Sequence, residues 1–443
     1  MHAVTRSAQP ARRDVLRAGA ASATALAAGL SAAGCAAGGD TGVSADGTVT
    51  IEMWHGQTDT GKKAVESLVA AFMRSHPRIR VELGGGVLAD SMLQKVTAAL
   101  AAGSYPDIAY IFGSDLASVA RSPQVVDLTD MVGHAAPSPW GTYWEPARAA
   151  VTVNGQVRAA PALLDSLAVV CNKELFRQAG LPLPEAGWRW DDFVATAKAL
   201  TDTGGGRFGT GWPGVGDEDT VWRLWPMIWD LGGDVVADDG RHIGFADAGT
   251  RALEVVAAMV RDKSVYVDPK PGGEQMYQVF QSGRMGMVVT GPWQLPDIHQ
   301  AKIDYHVVPL PSFSGRPVTI SGPDTWTVFD NGSARKRAAK TFVTWLIQPT
   351  QDVRWDIDAG SLPLSRRTRD LPAWHHKESS TEGLGVFTKA LDTARARPVH
   401  AAYPQISQAL GQAIVAVLLG QSSPAKALRA CAADANAALL IPR

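Results

Sequence analysis

The sequence predicts an α/β protein of more than one domain, and three observations carry that expectation. Residues 49–112 alternate between strand and helix periodicities. The chain has 443 residues and is 46% hydrophobic, enough for two ordinary domains with their own cores. Beyond residue 35 no apolar run approaches the ~20 residues needed to span a bilayer.

The elements follow in order. Val49-Thr50-Ile51-Glu52-Met53-Trp54 alternates in polarity and reads as a strand. Val65, Leu68, Val69 and Phe72 recur at helical spacing, which predicts a helix over 60–74, stopped at His76-Pro77. Ile79-Arg80-Val81-Glu82-Leu83 is the next strand. A helix over 91–102 then passes through Gly103 and Pro106 into the buried-strand run Asp107-Ile108-Ala109-Tyr110-Ile111-Phe112. Strand, helix, strand, helix, strand implies a mostly parallel sheet. Farther on, Gly155 to Pro161 leads into an apolar strand around Val170, and a helix follows over 173–179. Asp191 is placed to cap a helix reaching Leu200. One helix is expected over 219–231, with Trp222, Trp225 and Trp229 on one face and Gly232-Gly233 closing it. Further helices are expected at 248–263, 334–347, 385–395, 406–419 and 425–440. There is no short internal repeat and no heptad pattern.

Residues 1–34 have the form of a secretory signal. Arg12-Arg13 is followed by Asp14-Val15-Leu16-Arg17, then by a weakly apolar Ala/Gly/Ser run that ends at Gly34-Cys35. Paired arginines before a weak hydrophobic core point to twin-arginine export. Ala33-Gly34-Cys35 resembles a lipobox, which makes Cys35 the lipidated first residue of the mature chain, although Ala32 stands where that motif prefers Leu. Residues 35–47 lack large apolar side chains other than Val43 and read as a tether.

The net charge is −1. The leader carries Arg6, Arg12, Arg13 and Arg17 against Asp14, a net +3, so the chain without it carries −4. No basic stripe suggests nucleic acid. Cys35, Cys171 and Cys431 form no CxxC and no Cys/His cluster with metal-ligand spacing. Cys171 and Cys431 read as buried thiols, while an extracytoplasmic setting also allows them to pair. His375-His376 sits in a polar Trp/Lys/Glu stretch that reads as a solvated loop. No metal site, cofactor site or catalytic residue is expected.

Several motifs now fall into an order. They are Trp54-His55-Gly56 after the first strand; Tyr105-Pro106-Asp107-Ile108; Pro161-Ala162-Leu163-Leu164-Asp165-Ser166-Leu167 before Cys171-Asn172-Lys173-Glu174-Leu175-Phe176; Ala179-Gly180-Leu181-Pro182; Val279-Phe280-Gln281-Ser282-Gly283-Arg284-Met285-Gly286-Met287 before Thr290-Gly291-Pro292-Trp293; Val308-Pro309-Leu310-Pro311; and Gly360-Ser361-Leu362-Pro363. From Val49 to the C-terminus this series resembles the solute-binding proteins of bacterial carbohydrate ABC importers, the maltose-binding-protein-like family. In that family the Cys171 segment reads "YNKDLF", so Cys171 replaces an aromatic residue.

The resemblance implies two α/β lobes joined by hinge strands around a ligand cleft. The first lobe would comprise 48–162 and 312–364, and the second 163–311 and 365–443. It also implies a monomeric receptor, anchored to the outer face of the membrane through Cys35, that delivers a sugar or polyol to ABC permease subunits. Sugars need flat aromatic platforms and polar side chains for their hydroxyls. By position, Trp222 and Trp293 are the expected platforms and Asp165 the hinge-side carboxylate. His55, Gln57, Ser114, Asp115, Trp225, Asp324, Trp326, Arg397 and Tyr403 are further candidates, most of them on loops at strand ends or on the late segment that closes the cleft in relatives. The alternatives are a glycerophosphodiester-binding protein of the same fold, a binder of peptides, phosphate or metals, and a secreted glycoside hydrolase. The hydrolase needs a pair of carboxylates, and no such pairing stands out in the sequence.

Overall fold

The computed structural model describes residues 42–132 and 139–441. The signal segment 1–34, Cys35 and the first part of the tether lie outside the described residues.

Two sheets organise the chain, and both follow one plan. Across the first, the order is Ile79–Gly84, Val49–Trp54, Ile108–Phe112, Asp324–Val328, Ala160–Leu163. The first three strands are parallel, and Asp324–Val328 runs antiparallel to both of its neighbours. In the second sheet, Ala168–Asn172 lies antiparallel between Met287–Thr290 and Tyr305–Pro309. Thr210–Pro213 and Val265–Asp268 pair in parallel and extend this sheet, because Gly286 and Met287 each donate an N–H, at 2.9 Å, to the carbonyls of Phe208 and Gly209.

Each sheet therefore has one reversed strand, and that strand is the one that arrives from the opposite sheet. Ala160–Leu163 feeds Ala168–Asn172, and Tyr305–Pro309 leads on to Asp324–Val328. A helical crossover returns the chain to the starting edge and keeps strands parallel. A direct crossing enters the next sheet at its carboxyl edge and must run the other way. Both reversed strands are central and buried along their whole length, as a strand flanked on both sides should be.

One core packs Ile51, Met53 and Val328 against Phe72 and Phe342. A second gathers Val169, Phe193, Trp225, Phe245, Ile406 and Ile414. A third joins Trp144 and Leu362 to Val170, Phe280, Val288, Trp374 and Phe387. Asn172 caps the helix Lys173–Ala179 by accepting the N–H groups of Glu174 and Leu175, and Gly180 ends it in the left-handed region.

Several expected elements differ. The helix expected over 219–231 is two short helices, Glu218–Trp222 and Trp225–Asp230, because Pro226 has no N–H to continue the first one. Asp191 is not the cap of its helix: Asp192 accepts the Arg189 N–H at 2.9 Å. The helix expected over 385–395 is shorter, Leu384–Ala390, and Arg395–Ala396 pairs instead with Ile320–Ser321. His375 and His376 lie in the helix Pro372–Ser380, which is anchored by fully buried Trp374. Cys171 and Cys431 are both buried free thiols.

Asp107 ties the first sheet together from inside. It is fully buried. Its Oδ2 accepts the Glu52 N–H at 2.7 Å and the Arg335 guanidinium at 2.5 Å, while Oδ1 accepts Asn331 Nδ2 at 3.2 Å. Asp107→Ala takes the carboxylate away from a half-buried guanidinium and from several donors. The expected loss is about 3–5 kcal/mol of unfolding free energy, read as a lower urea midpoint.

Candidate functional site

The segments that cross between the sheets lie side by side and are tied to one another. Thr319 Oγ1 accepts the Leu167 N–H at 3.1 Å and donates to the Leu167 carbonyl at 2.9 Å. Leu362 donates its N–H to the Leu164 carbonyl at 2.9 Å. Asp165 Oδ1 accepts the Gly322 N–H at 2.6 Å. Arg397 donates its N–H to the Ser321 carbonyl at 2.8 Å.

A cleft of about 480 Å³ opens where these crossings meet the carboxyl ends of both sheets, which is where open α/β sheets place ligands. Gln57, Tyr110 and Phe112 line it from the first sheet. Glu218, Asp219, Trp222, Tyr277, Trp293 and Gln294 line it from the second. Asp165, Asp324, Ser361 and Arg397 line it from the crossings and the late segment.

Arg397 stands at the centre. Only 5% exposed, its Nη2 donates to the Gly322 carbonyl at 2.9 Å and to Asp324 Oδ1 at 3.3 Å, and its Nη1 lies 3.8 Å from Glu218 Oε1. The guanidinium carbon sits 4.7 Å from the Phe112 ring centre and 5.3 Å from that of Trp222, within cation–π range. Gly322 has to be glycine here, because a Cβ would lie 2.5 Å from Arg397 Nη2 and 3.0 Å from the Trp222 ring.

Each carboxylate facing Arg397 has further partners. Asp324 accepts the Tyr110 hydroxyl. Glu218 accepts the Tyr403 hydroxyl at 2.8 Å and the Ser407 hydroxyl. Burial pushes Asp165 up to about 7, Asp115 up to about 7 and Asp324 up to about 6, with Arg397 opposing the rise in each case. Burial also raises Glu218; at Arg397 desolvation works to lower the pKa, but the neighbouring Asp324, Glu218 and Asp165 together raise it.

The aromatic walls are Trp222 and Trp293. Their ring centres are 5.8 Å apart with planes inclined by 27°. Trp222 ends its short helix, whose first turn is held by Asp217 accepting the Thr220 N–H. Trp293 follows Met287–Thr290 in a 3-10 turn, and its indole lies over Gly291, where a Cβ would come within 1.8 Å of the ring.

Of the residues expected from sequence, Trp222, Trp293, Asp165, Gln57, Asp324 and Arg397 meet in this cleft. The others lie elsewhere. Trp225 is in the second core and donates to the Tyr403 hydroxyl at 2.9 Å, so Tyr403 acts on the cleft through Glu218 rather than lining it. Trp326 is an interior residue of the strand Asp324–Val328, edge-on to Tyr110 and Trp355, and not a loop residue. Ser114 and Asp115 are in the first turn of the helix Gly113–Val119, with Ser114 buried and Asp115 half-buried. His55 borders an adjacent open hollow with Lys62 and Glu66, and burial lowers its pKa. Sequence reading missed Glu218, Asp219, Tyr110, Tyr277 and Ser361. The run Asp217-Glu218-Asp219 before Trp222 was the available signal. Among the described residues, no group of three or more His, Cys, Asp or Glu is placed to hold a metal ion.

The profile of the bacterial extracellular solute-binding proteins matches residues 56–353. A Streptomyces antibioticus protein named "Uncharacterized lipoprotein in oleD 5′ region" is 29% identical over 82% of this chain and 80% of its own length. Among solved structures, the cyclic alpha-maltosyl-1,6-maltose binding protein of Arthrobacter globiformis is 25% identical, with a TM-score of 0.73, and covers 89% of this chain and 99% of its own. UgpB from Mycobacterium tuberculosis, solved with glycerophosphocholine, is 21% identical, has a TM-score of 0.77 and covers 89% and 99%. Its likeness is one of fold.

The raised carboxyl groups have a measurable consequence. Folded, Asp165, Asp115 and Asp324 keep their protons up to about 6–7, whereas the unfolded chain releases them near ~4. Between those limits the folded state binds more protons, so their contribution to stability is complete below about pH 4 and is lost as pH rises through about 7. Calorimetry of the ligand-free protein should show Tm falling from mildly acidic to mildly alkaline pH, with a smaller fall in Asp165→Asn.

Proposed function

Since the chain belongs to the bacterial extracellular solute-binding proteins, we propose that it is the extracytoplasmic receptor of an ABC importer, and that its solute is a sugar or sugar-like polyol. The observation that carries the reading is the paired indoles of Trp222 and Trp293 facing a cleft ringed by carboxylates, amides and hydroxyls. Indole faces suit the C–H faces of a sugar ring, and carboxylates accept its hydroxyl protons in charge-assisted bonds. The Arthrobacter relative, named for an oligosaccharide, supports the same chemistry.

Binding would select the closed arrangement of the two lobes about the crossings, and the closed form would dock on the permease subunits. We divide the lobes as 48–162 with 312–364, and 163–311 with 365–443. The receptor works as a monomer held at the outer face of the membrane by a lipid on Cys35, after twin-arginine export. The Streptomyces relative named as a lipoprotein supports the anchor. No helix of the described residues is long and apolar enough to cross a membrane.

The glycerophosphodiester reading has a specific objection. Arg397 is the one basic residue among those lining the cleft, and Asp324 and Glu218 already engage it, which leaves a phosphate no free cation. A hydrolase would need a carboxylic acid free to give up its proton. Asp324 and Glu218 are each held between Arg397 and a tyrosine hydroxyl, so neither of these two is free to do so.

Isothermal titration against neutral mono-, di- and oligosaccharides should find a binder of micromolar affinity or better. Trp222→Ala and Trp293→Ala should each weaken it roughly tenfold, the equivalent of about 1.4 kcal/mol for a stacked ring. Unchanged affinity in both variants would sink the site. The bound sugar should be recovered intact after prolonged incubation. Mass spectrometry of the membrane-associated protein should find acylated Cys35 at the mature N-terminus, and an unacylated N-terminus at another residue would refute the anchor.

A further inference from the structure

The charge of the cleft goes further than its shape. Five carboxylates of the lining carry the argument: Asp165, Glu218, Asp219, Glu274 and Asp324. Arg397 is their one basic counterpart among the lining residues. Arg397 does not balance them, since it is paired with Asp324 at 3.3 Å and Glu218 at 3.8 Å. Arg223, just behind the wall, is likewise engaged by Asp219 Oδ1 at 3.2 Å and by the Tyr277 hydroxyl at 2.7 Å.

One carboxylate stands apart. Asp165 is 7% exposed and lines the cleft, and only its Oδ1 takes a hydrogen bond, from Gly322. The walls beside these acids are aromatic, with Trp222, Trp293 and Tyr277 all on the lining. A ring face is negative, so it adds to the carboxylate field instead of opposing it.

We infer that the solute taken by this cleft carries a positively charged nitrogen on its polyol frame, an amino or quaternary ammonium group held by the unpaired side of Asp165 and an indole face. This rests on the sugar-receptor reading above and narrows it to amino sugars and related cationic polyols. Lobe closure removes water from the acids. A neutral solute would leave the surplus negative charge without a counter-charge in a less polar medium, and an anion would add to it. A cation supplies what the wall lacks, and it would be drawn into an acidic cleft from a distance.

Two matched pairs test the inference by isothermal titration of the purified protein at about pH 7.5, where most of Asp165 is ionised. One is the glucosamine disaccharide chitobiosamine against cellobiose, and the other is choline against its uncharged isostere 3,3-dimethylbutan-1-ol. The charged member of at least one pair should bind roughly tenfold or more tightly than its partner, and the preference should shrink as salt is added. It should also shrink below about pH 7, where Asp165 gains its proton. Asp165→Asn should cut the ratio of charged to neutral affinity at least threefold. Glu274→Gln, at an exposed lining position whose change leaves the core untouched, should cut it by a smaller factor. Equal or tighter binding of the neutral members in both pairs overturns the inference, as does a preference insensitive to both salt and these substitutions. If neutral sugars bind through Trp222 and Trp293 with no preference for charge, the inference falls and the receptor reading stands. If nothing in the sugar panel or in either pair binds, both fall.

Discussion

A buried guanidinium organises this protein. Arg397 lies near the end of the chain, yet it touches Phe112 and Asp324 of the first sheet, Gly322 of a crossing segment, and Glu218 and Trp222 of the second half. A desolvated charge is tolerable only when it is paired, so its position dictates much around it. Gly322 lacks a side chain to make room. Asp324 and Glu218 supply counter-charge, Tyr110 and Ser407 take the carboxylate oxygens that Arg397 leaves, and Tyr403 shares Glu218 Oε1 with it. The network runs from the cleft to the second core through the Trp225–Tyr403 bond.

The same geometry suits a hinge. The chain passes between the sheets by direct crossings, and each leaves one reversed strand at the centre of the sheet it enters. A few bonds hold the crossings: Leu167 with Thr319, Leu164 with Leu362, Asp165 with Gly322. Asp165 is both a tie between crossing segments and a carboxylate on the cleft wall.

Much of this was legible in the sequence. The strands at 49–54, 79–83 and 107–112 were readable because a half-buried strand alternates in polarity and a buried one is a short apolar run. The helix Lys173–Ala179 carries its cap, Asn172, and its stop, Gly180, in adjacent residues. Of the expected cleft residues, Trp222, Trp293 and Asp165 came from motif position. Trp225 and Trp326 lie in the interior, which motif position alone does not show, because an indole has the same composition whether it packs a core or faces a solute. Pro226 separated Trp222 from Trp225, and the pairing of Asp324–Val328 between two strands drew Trp326 inward.

By itself the sequence determined the alternation of strand and helix and the residue types available for a cleft, since both are written in neighbouring residues. The tertiary structure alone decided which acids share the field of Arg397. Glu218, Asp324, Asp165 and Arg397 are separated by long stretches of chain, and a carboxylate's burial, charge and partners depend on what folds against it. The surplus of negative charge in the cleft is therefore a property of the assembled walls, where the strand ends of both sheets and the late segment meet.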